Sequence, residues 1–136
     1  MIVVSEKSRT ALVALVELAN HNSGQPVPIV EVAEARGVPL HVVEQLFGSL
    51  RRAGILQSQR GMRGGYSFRR PPSEVTVLDV VEAVDGELTS PDSMPAVQDA
   101  VWREAIHGLA GMLGGSTVAE LAHREAEVRS APMFHI

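Results

Sequence analysis

The chain has 136 residues, no cysteine and a formal net charge of −4. Without cysteine it cannot form a disulfide bond, a thiolate-bound zinc or iron–sulfur site, or a cysteine nucleophile. A hydrophobic content of 45% is that of an ordinary globular protein, and no apolar run reaches the roughly 20 residues of a membrane helix. The N-terminus lacks the basic-then-apolar layout of a signal peptide, so we expect a soluble, cytoplasmic protein.

The small net charge conceals an uneven distribution. Residues 1–72 contain nine of the twelve Lys and Arg residues and five acids, a net charge of +4, whereas residues 73–136 contain three Arg and eleven acids, a net charge of −8. A basic front half is typical of a protein that places one face on a polyanion. Two ordinary solvated surfaces would give the same counts, so charge alone does not identify nucleic-acid binding.

Apolar residues at helical spacing predict three helices before residue 54. The first covers residues 8–20, and Ser5 or Ser8 is placed to cap its start. Its apolar face consists of Leu12, Leu15, Val16 and Ala19. A short second helix over residues 29–36 stops at Gly37, and the third begins about three residues later. This order of short helix, glycine turn and helix is the pattern of a helix-turn-helix.

The third helix, from Pro39 or Leu40 to Ala53, divides its residues between two faces. The stripe predicted to be buried consists of Val42, Val43, Leu46 and Leu50. The outward residues are His41, Glu44, Gln45, Gly48, Arg51 and Arg52. The first three of these lie near the N-terminal end, the part of a recognition helix that reaches base edges, where Gln can bond adenine and Glu can accept from cytosine. An ordinary solvated polar face is the alternative.

Residues 51–70 contain six arginines and no acid. A β-prone run over residues 55–59 is followed by a Gly- and Arg-rich turn over residues 60–65 and a second short run with Tyr66 and Phe68. This pattern predicts a β-hairpin with a basic tip, in which the glycines supply positive φ angles. A basic hairpin directly after a helix is how a winged helix-turn-helix presents its wing to DNA.

Helices are also predicted in the acidic half. Thr76 to Asp79 resembles a capping box that begins a short helix ended by Gly86, and Thr117 begins a last, mostly polar helix that ends near Arg129. Between them, the helix over residues 96–113 has an apolar face too wide for one neighbour. We favour dimerisation through this face over its folding back on its own subunit. The residues expected at this dimer interface are Val97, Val101, Trp102, Ala105, Ile106, Leu109 and Leu113.

Four segments together carry a family resemblance: residues 8–19, 26–56, 58–68 and 74–86. The combination of EQLFGSLRRAGIL with RGMRGGY resembles the Rrf-two (Rrf2) family of bacterial winged-helix regulators, over roughly residues 2–125. The resemblance implies a homodimeric DNA-binding repressor or activator. The positions that match the family's DNA contacts are Arg9, His41, Glu44, Gln45, Arg51, Arg60, Arg63, Gly64 and Gly65.

The chain departs from the family at its sensor. The resemblance implies an iron–sulfur cluster held by three cysteines in the loop before the dimer helix, and that loop contains none here. Asp99 falls where some members place a fourth, non-cysteine ligand, and Thr10 replaces an aromatic residue common in the first helix. We therefore expect no cofactor and no metal. A small metabolite or a partner protein is left as the possible effector.

Enzymatic function is not expected. The five histidines form no HExxH or His-x₃-His pattern, and GMRGGY lacks the GK[ST] ending of a phosphate loop. A winged helix that binds a protein partner instead of DNA is the competing class. An exposed apolar patch on the third helix would favour that class.

The predicted fold is mainly α with a small β-hairpin wing. We expect a winged helix-turn-helix DNA-binding domain over residues 1–86, a linker or effector loop over residues 87–95, and a dimerisation helix with a C-terminal helix over residues 96–136. The expected partners are double-stranded DNA with a pseudo-palindromic operator and a second copy of the chain.

Overall fold

The computed structural model describes residues 5–21, 24–62, 64–86 and 98–130. Within these ranges it contains six α-helices and one two-stranded antiparallel hairpin. The helices are α1 (Glu6–Asn20), α2 (Ile29–Arg36), α3 (Leu40–Arg52), α4 (Val77–Asp85), α5 (Gln98–Gly114) and α6 (Val118–Ser130); the strands are β1 (Leu56–Gln59) and β2 (Gly65–Phe68). The predicted fold class, mainly helical with a small hairpin, is confirmed.

The α2–α3 pair forms the predicted helix-turn-helix. Gly37 ends α2 in the left-handed conformation, with φ 63° and ψ 32°, which glycine adopts without a steric penalty. The extended Pro39 then precedes α3. The face of α3 buried in the core consists of Val43, Leu46, Phe47 and Leu50, with Val42 half-buried. The stripe predicted from the sequence thus shares Val43, Leu46 and Leu50 with this face, but it omitted Phe47 and included the half-buried Val42.

The hairpin is joined to the helical core by a third segment of chain. Val27 pairs with Tyr66 on β2, each donating its backbone N–H to the other's carbonyl oxygen at 2.8 Å. The ring of Tyr66 meets Phe47 of α3 edge-on, with centroids 5.2 Å apart. Because β1 pairs with one edge of β2 and Val27 with the other, both edges of β2 are paired along part of their length.

The core lies between α1, α3 and α4, with α6 packed across α1. The buried face of α1 is centred on Ala11, Ala14, Leu15 and Leu18. The face predicted from the sequence contained Leu12, Leu15, Val16 and Ala19. Leu15 and Val16 are buried, whereas Leu12 and Ala19 are only half-buried. The small alanines explain the difference, because they let neighbouring helices approach α1 closely.

The last helix contributes more to the core than its polar composition indicates. Val118 is fully buried, and Leu121 and Ala122 pack against the core. Thr117 caps the helix by accepting a hydrogen bond from the Glu120 backbone N–H at 3.1 Å. Backbone hydrogen bonds from Val77 N–H to Ser116 and from Val118 N–H to Val75, both 2.9 Å, hold the turn between α5 and α6.

Residues 87–97 lie outside the described residues. They include the predicted loop over 87–95 and Val97, which was predicted to lie at the dimer interface. The division into residues 1–86, 87–95 and 96–136 therefore stays a prediction. None of the described helices is both long and apolar enough to cross a membrane.

The start of α1 is tied to the end of α4 by one carboxylate. Of the two residues predicted to cap α1, Ser5 is the cap: its hydroxyl oxygen accepts a hydrogen bond from the Ser8 N–H at 3.3 Å. The Asp85 carboxylate accepts from the Ser5 N–H and hydroxyl at 3.1 and 2.6 Å, and from the buried Ser8 hydroxyl at 2.5 Å. Burial raises the pKa of Asp85, but these hydrogen bonds outweigh burial and hold it below the ordinary 3.8.

Replacing Asp85 with Asn should lower the free energy of unfolding at pH 7 by about 1 kcal/mol or less, because charge-assisted hydrogen bonds are weakened at an exposed site. A group with a lowered pKa stabilises the fold above its unfolded-state pKa, and that contribution is lost as pH falls through the folded-state pKa. The difference between wild type and Asp85→Asn, measured by urea denaturation, should therefore shrink as the pH falls below about 4, the unfolded-state pKa of an aspartate. Glu74→Gln, another exposed carboxylate, is the control. A difference that stays constant as the pH falls would contradict the assignment.

Candidate nucleic-acid interface

The outward face of α3 presents polar side chains in two groups. His41, Glu44 and Gln45 are exposed in the first turns, and Arg51 and Arg52 are exposed in the last turn. No side chain caps the start of α3, because Pro39 occupies the N-cap position. Val42 and Val43 donate their backbone N–H groups to the Pro39 carbonyl oxygen. The N–H groups of Leu40 and His41 precede them and have no intrahelical partner, next to the residues predicted to contact bases.

Arg51 places the end of α3 beside the wing. Its Nη1 donates to the Ser58 hydroxyl on β1 at 3.5 Å. Ser58 is the register partner of Tyr66, whose ring packs on Phe47 of α3. The recognition helix and the hairpin therefore form one continuous surface.

The hairpin tip has a shape that its glycines permit. Gly61 has φ 111° and Gly65 has φ 152°, both in the region that favours glycine. A Cβ on Gly64 would collide with the carbonyl oxygen of Gln59, and a Cβ on Gly65 would collide with the carbonyl group of Val27. These two predicted contact residues thus have a second role, which is to let the chain close the tip and pair with residue 27.

The exposed residues at the tip are Arg60 and Met62. In the described part of the chain, the Arg60 guanidinium forms no ion pair. The fully exposed Met62 was not singled out in the sequence, because a lone methionine in a turn carries no periodic signal. Arg63, also predicted to contact DNA, lies outside the described residues.

The N-terminal half of α1 borders the recognition helix. An open depression of about 570 Å³ lies between them; its lining includes Lys7, Thr10, Glu44, Gln45 and Arg52. Arg9 is exposed on the same helix and pairs loosely with Glu6 at 3.4 Å. The sequence prediction included Arg9 but not Lys7, although Lys7 is the lysine of α1 and lines the same depression as Glu44 and Gln45, two of the predicted base-contact residues.

An exposed apolar stripe runs along α5. Val101, Ala105, Gly108 and Met112 follow one another at intervals of four, three and four residues, which places them on one side of a helix. Trp102 borders the stripe and is 64% exposed, and Met112 is 77% exposed. Of the predicted interface residues, Ile106, Leu109 and Leu113 are partly buried on the neighbouring side of α5. Gly108 and Met112 were missed because the sequence pattern was counted from the larger aliphatic residues.

Most of the chain matches one known protein family. A family model described as "Rrf2: Iron-dependent Transcriptional regulator" matches residues 4–124. The HTH-type transcriptional regulator IscR of Serratia proteamaculans is 31% identical over 131 residues, covering 90% of this chain and 80% of that protein. This chain belongs to the Rrf2 family.

Solved structures of relatives agree with that assignment. CymR, the global cysteine regulator of B. subtilis, superposes with a TM-score of 0.78 at 26% identity, covering 91% of this chain and 98% of that chain. IscR of T. potens superposes with a TM-score of 0.79 at 29% identity, covering 98% and 95%. As a member of the Rrf2 family, the protein is a DNA-binding transcriptional regulator and not an enzyme, as the sequence predicted.

The iron in the family's description does not fit the donor set of this chain. The sequence contains no cysteine, so the thiolates that hold an iron–sulfur cluster are missing. Within the described ranges, no group of three or more His, Asp or Glu residues is placed to hold a metal ion. The side chain of Asp99 lies outside the described residues. The regulator cannot hold a thiolate-ligated cluster.

Replacing Gly65 with Ala should destabilise the protein by about 2 kcal/mol or more, because a side chain is strained at φ 152° and its Cβ would overlap Val27. Urea denaturation measures the loss, and hydrogen exchange at Tyr66 N–H reports whether the wing opens. The control is Gly111→Ala, in open space inside α5, which should be neutral or stabilising by up to about 1 kcal/mol. Equal stability of Gly65→Ala and wild type would contradict the packing of the wing.

Proposed function

We propose that the protein is a homodimeric repressor that reads a pseudo-palindromic operator, with α3 in the major groove and the wing on the adjacent backbone or minor groove. The observation that carries this proposal is the continuous surface of α3 and the hairpin. Its base-contact positions are polar, and its wing tip is arginine-rich. Residues 51–70 contain no acid.

The first turns of α3 are assigned to base recognition. Gln45 can bond adenine through two hydrogen bonds, and Glu44 can accept a hydrogen bond from cytosine N4. His41 lies one turn earlier and is exposed. These side chains also argue against a protein-interaction module, because a module that binds an apolar partner would present apolar residues on this face.

The arginines are assigned to phosphates. Arg51, Arg60 and Arg63, with Arg9 on α1, would neutralise backbone charge, and Gly64 and Gly65 would let the wing backbone approach the duplex closely. Each neutralised phosphate releases condensed counterions, so affinity should fall steeply as salt rises. Lys7 belongs to the same group, because it lies beside Glu44 and Gln45.

The exposed stripe of α5 is assigned to the dimer interface. Val101, Ala105, Gly108 and Met112 would face the same residues of a second copy, as two-fold symmetry requires. The small residues at the centre allow two helix backbones to approach closely. Trp102 at the border supplies an aromatic side chain, a type in which protein interfaces are enriched. The partly buried Ile106, Leu109 and Leu113 extend the apolar surface, and Val97 is expected at its N-terminal end.

A dimer on two half-sites covers more than one turn of duplex and blocks that stretch to other proteins, which favours repression. The effector class is a small metabolite or a partner protein, because a chain without cysteine cannot sense through thiolate-held iron. The proposed function is tested by selecting operators from a randomised duplex pool at about physiological salt, where non-specific binding is suppressed. Recovery of a two-fold-symmetric motif supports the proposal, and sequence-blind binding alone would overturn it.

Arg60→Ala and Gln45→Ala should impair binding in different ways. Arg60→Ala should weaken binding to all duplexes and lower the slope of log affinity against log salt by about 1, because one phosphate contact is lost. Gln45→Ala should cost about 1–3 kcal/mol on the selected operator but little on random DNA. Fluorescence anisotropy over a salt series measures both, with Arg124→Ala on α6 as the control. If Arg60→Ala binds DNA with unchanged affinity, the assignment of the wing to phosphate contacts is wrong.

Val101→Glu and Met112→Glu should each weaken self-association about 100-fold or more, because a charge would be buried without a partner at the stripe. Sedimentation velocity measures the monomer–dimer equilibrium over a range of concentrations. His107→Glu, exposed on the opposite side of α5, is the matched control and should leave the dimer intact. A wild-type chain that stays monomeric at high concentration would refute the dimeric part of the proposal.

A further inference from the structure

Arg36 connects three helices at the corner of the helix-turn-helix. It is the last residue of α2, directly before Gly37, and its side chain is 11% exposed. Its Nε donates to Glu17 Oε1 on α1 at 2.8 Å, and its Nη1 and Nη2 donate to the two carboxylate oxygens of Glu125 on α6 at 2.8 and 2.6 Å. All three guanidinium nitrogens are therefore engaged, two of them in the bidentate geometry that arginine alone provides.

The two carboxylates are themselves held in place. Glu125 also accepts from the Asn20 side-chain amide at 3.3 Å and lies 3.5 Å from Arg129, and Glu17 lies 3.2 Å from His21 Nε2. The hydrogen bond to Glu125 is the main cause that raises the pKa of Arg36, and the same bond lowers the pKa of Glu125. The contact is thus between a fixed cation and fixed anions, and not between mobile surface side chains.

This contact is one of several attachments of α6 to the DNA-reading part of the subunit. The others are the packing of α6 across α1 with Leu121 and Ala122 on the core, and the start of α6, where Val118 is buried and donates its N–H to Val75. Glu125 lies seven residues further, which is about 10 Å along a helix axis. The apolar packing holds α6 on α1, and the Arg36–Glu125 contact adds directional hydrogen bonds that join α6 directly to the end of α2.

The orientation of α6 matters beyond α6 itself. Only residues 115–117 separate it from α5, the helix whose apolar stripe is assigned to the dimer interface. Any rotation of the helix-turn-helix against α6 therefore changes the position of α3 relative to the second subunit.

We propose that Arg36 is a positioning residue that locks the helix-turn-helix to α6 and thereby sets the spacing of the two recognition helices in the dimer. The inference rests on the proposed homodimer and gives it a specific property. Half-sites displaced by one base pair differ by about 3.4 Å and about 35° of rotation. If the Arg36 contacts prevent both this translation and this rotation of the helix-turn-helix, the dimer binds only operators with one half-site spacing.

The test uses the full-length protein and the operator recovered from the pool, rebuilt with spacers one and two base pairs shorter and longer. Glu125→Gln removes the charge and half of the bidentate contact while keeping the side-chain shape. Arg36→Lys keeps the positive charge but cannot bind two carboxylates as a fork. Glu120→Gln is the matched control, because it removes an ion pair on the same helix, with Arg124, that does not reach the helix-turn-helix.

The expected result is a fall of about fivefold or more in the preference for the best spacer over its neighbours, in both Glu125→Gln and Arg36→Lys. Binding to a single half-site, the mass of the dimer and the spacer preference of Glu120→Gln should stay at the wild-type level. Full wild-type spacer preference in either folded variant, with only a lower melting temperature, would show that the ion pairs serve stability alone and would overturn the proposal. A wild-type protein without a preferred spacer would overturn the dimeric operator itself, and this inference with it.

Discussion

The geometry of the DNA-binding face depends on how Tyr66 holds the hairpin. A hairpin with two four-residue strands is marginal by itself in water. The ring of Tyr66 meets the buried Phe47 of α3 edge-on, a contact worth about 0.5–1.5 kcal/mol beyond the area it buries. The backbone of the same residue pairs with Val27. One residue thus fixes the wing to the recognition helix on one side and to the helical core on the other.

The parts of this fold that the sequence predicted are those with a local signal. The helix-turn-helix follows from two apolar periods separated by Gly37 and a proline. The hairpin follows from two β-prone runs around a glycine-rich turn. Thr76 and Asp79 form the reciprocal capping box that their spacing of three residues predicted. Each of these features is set by residues close together in the chain, and so it is visible in the order of amino acids.

The parts that the sequence did not predict join residues far apart in the chain. Val27 lies 39 residues before Tyr66, Ser8 lies 77 residues before Asp85, and Arg36 lies 89 residues before Glu125. In the sequence, Arg36 is an ordinary basic residue at a helix C-terminus, which the helix dipole alone would explain. The exposed stripe of α5 was only partly visible in the sequence, for a different reason. Periodicity favoured the larger aliphatic residues, whereas the exposed side is completed by Gly108 and Met112.

The separation of charge resolves how a chain of net charge −4 binds a polyanion. The acids of α6 have partners on their own subunit: Glu120 pairs with Arg124, Glu127 with His123, and Glu125 with Arg36. Among the described arginines of residues 51–70, Arg70 is paired with an acid, Asp79, whereas the guanidinium groups of Arg51 and Arg52 donate hydrogen bonds to serine hydroxyls. Interactions between exposed charges decay over about 8 Å at physiological salt. In the proposed binding mode, phosphates at the wing would therefore experience the nearby arginines that have no acidic partner, and the acidic half would contribute little to that field.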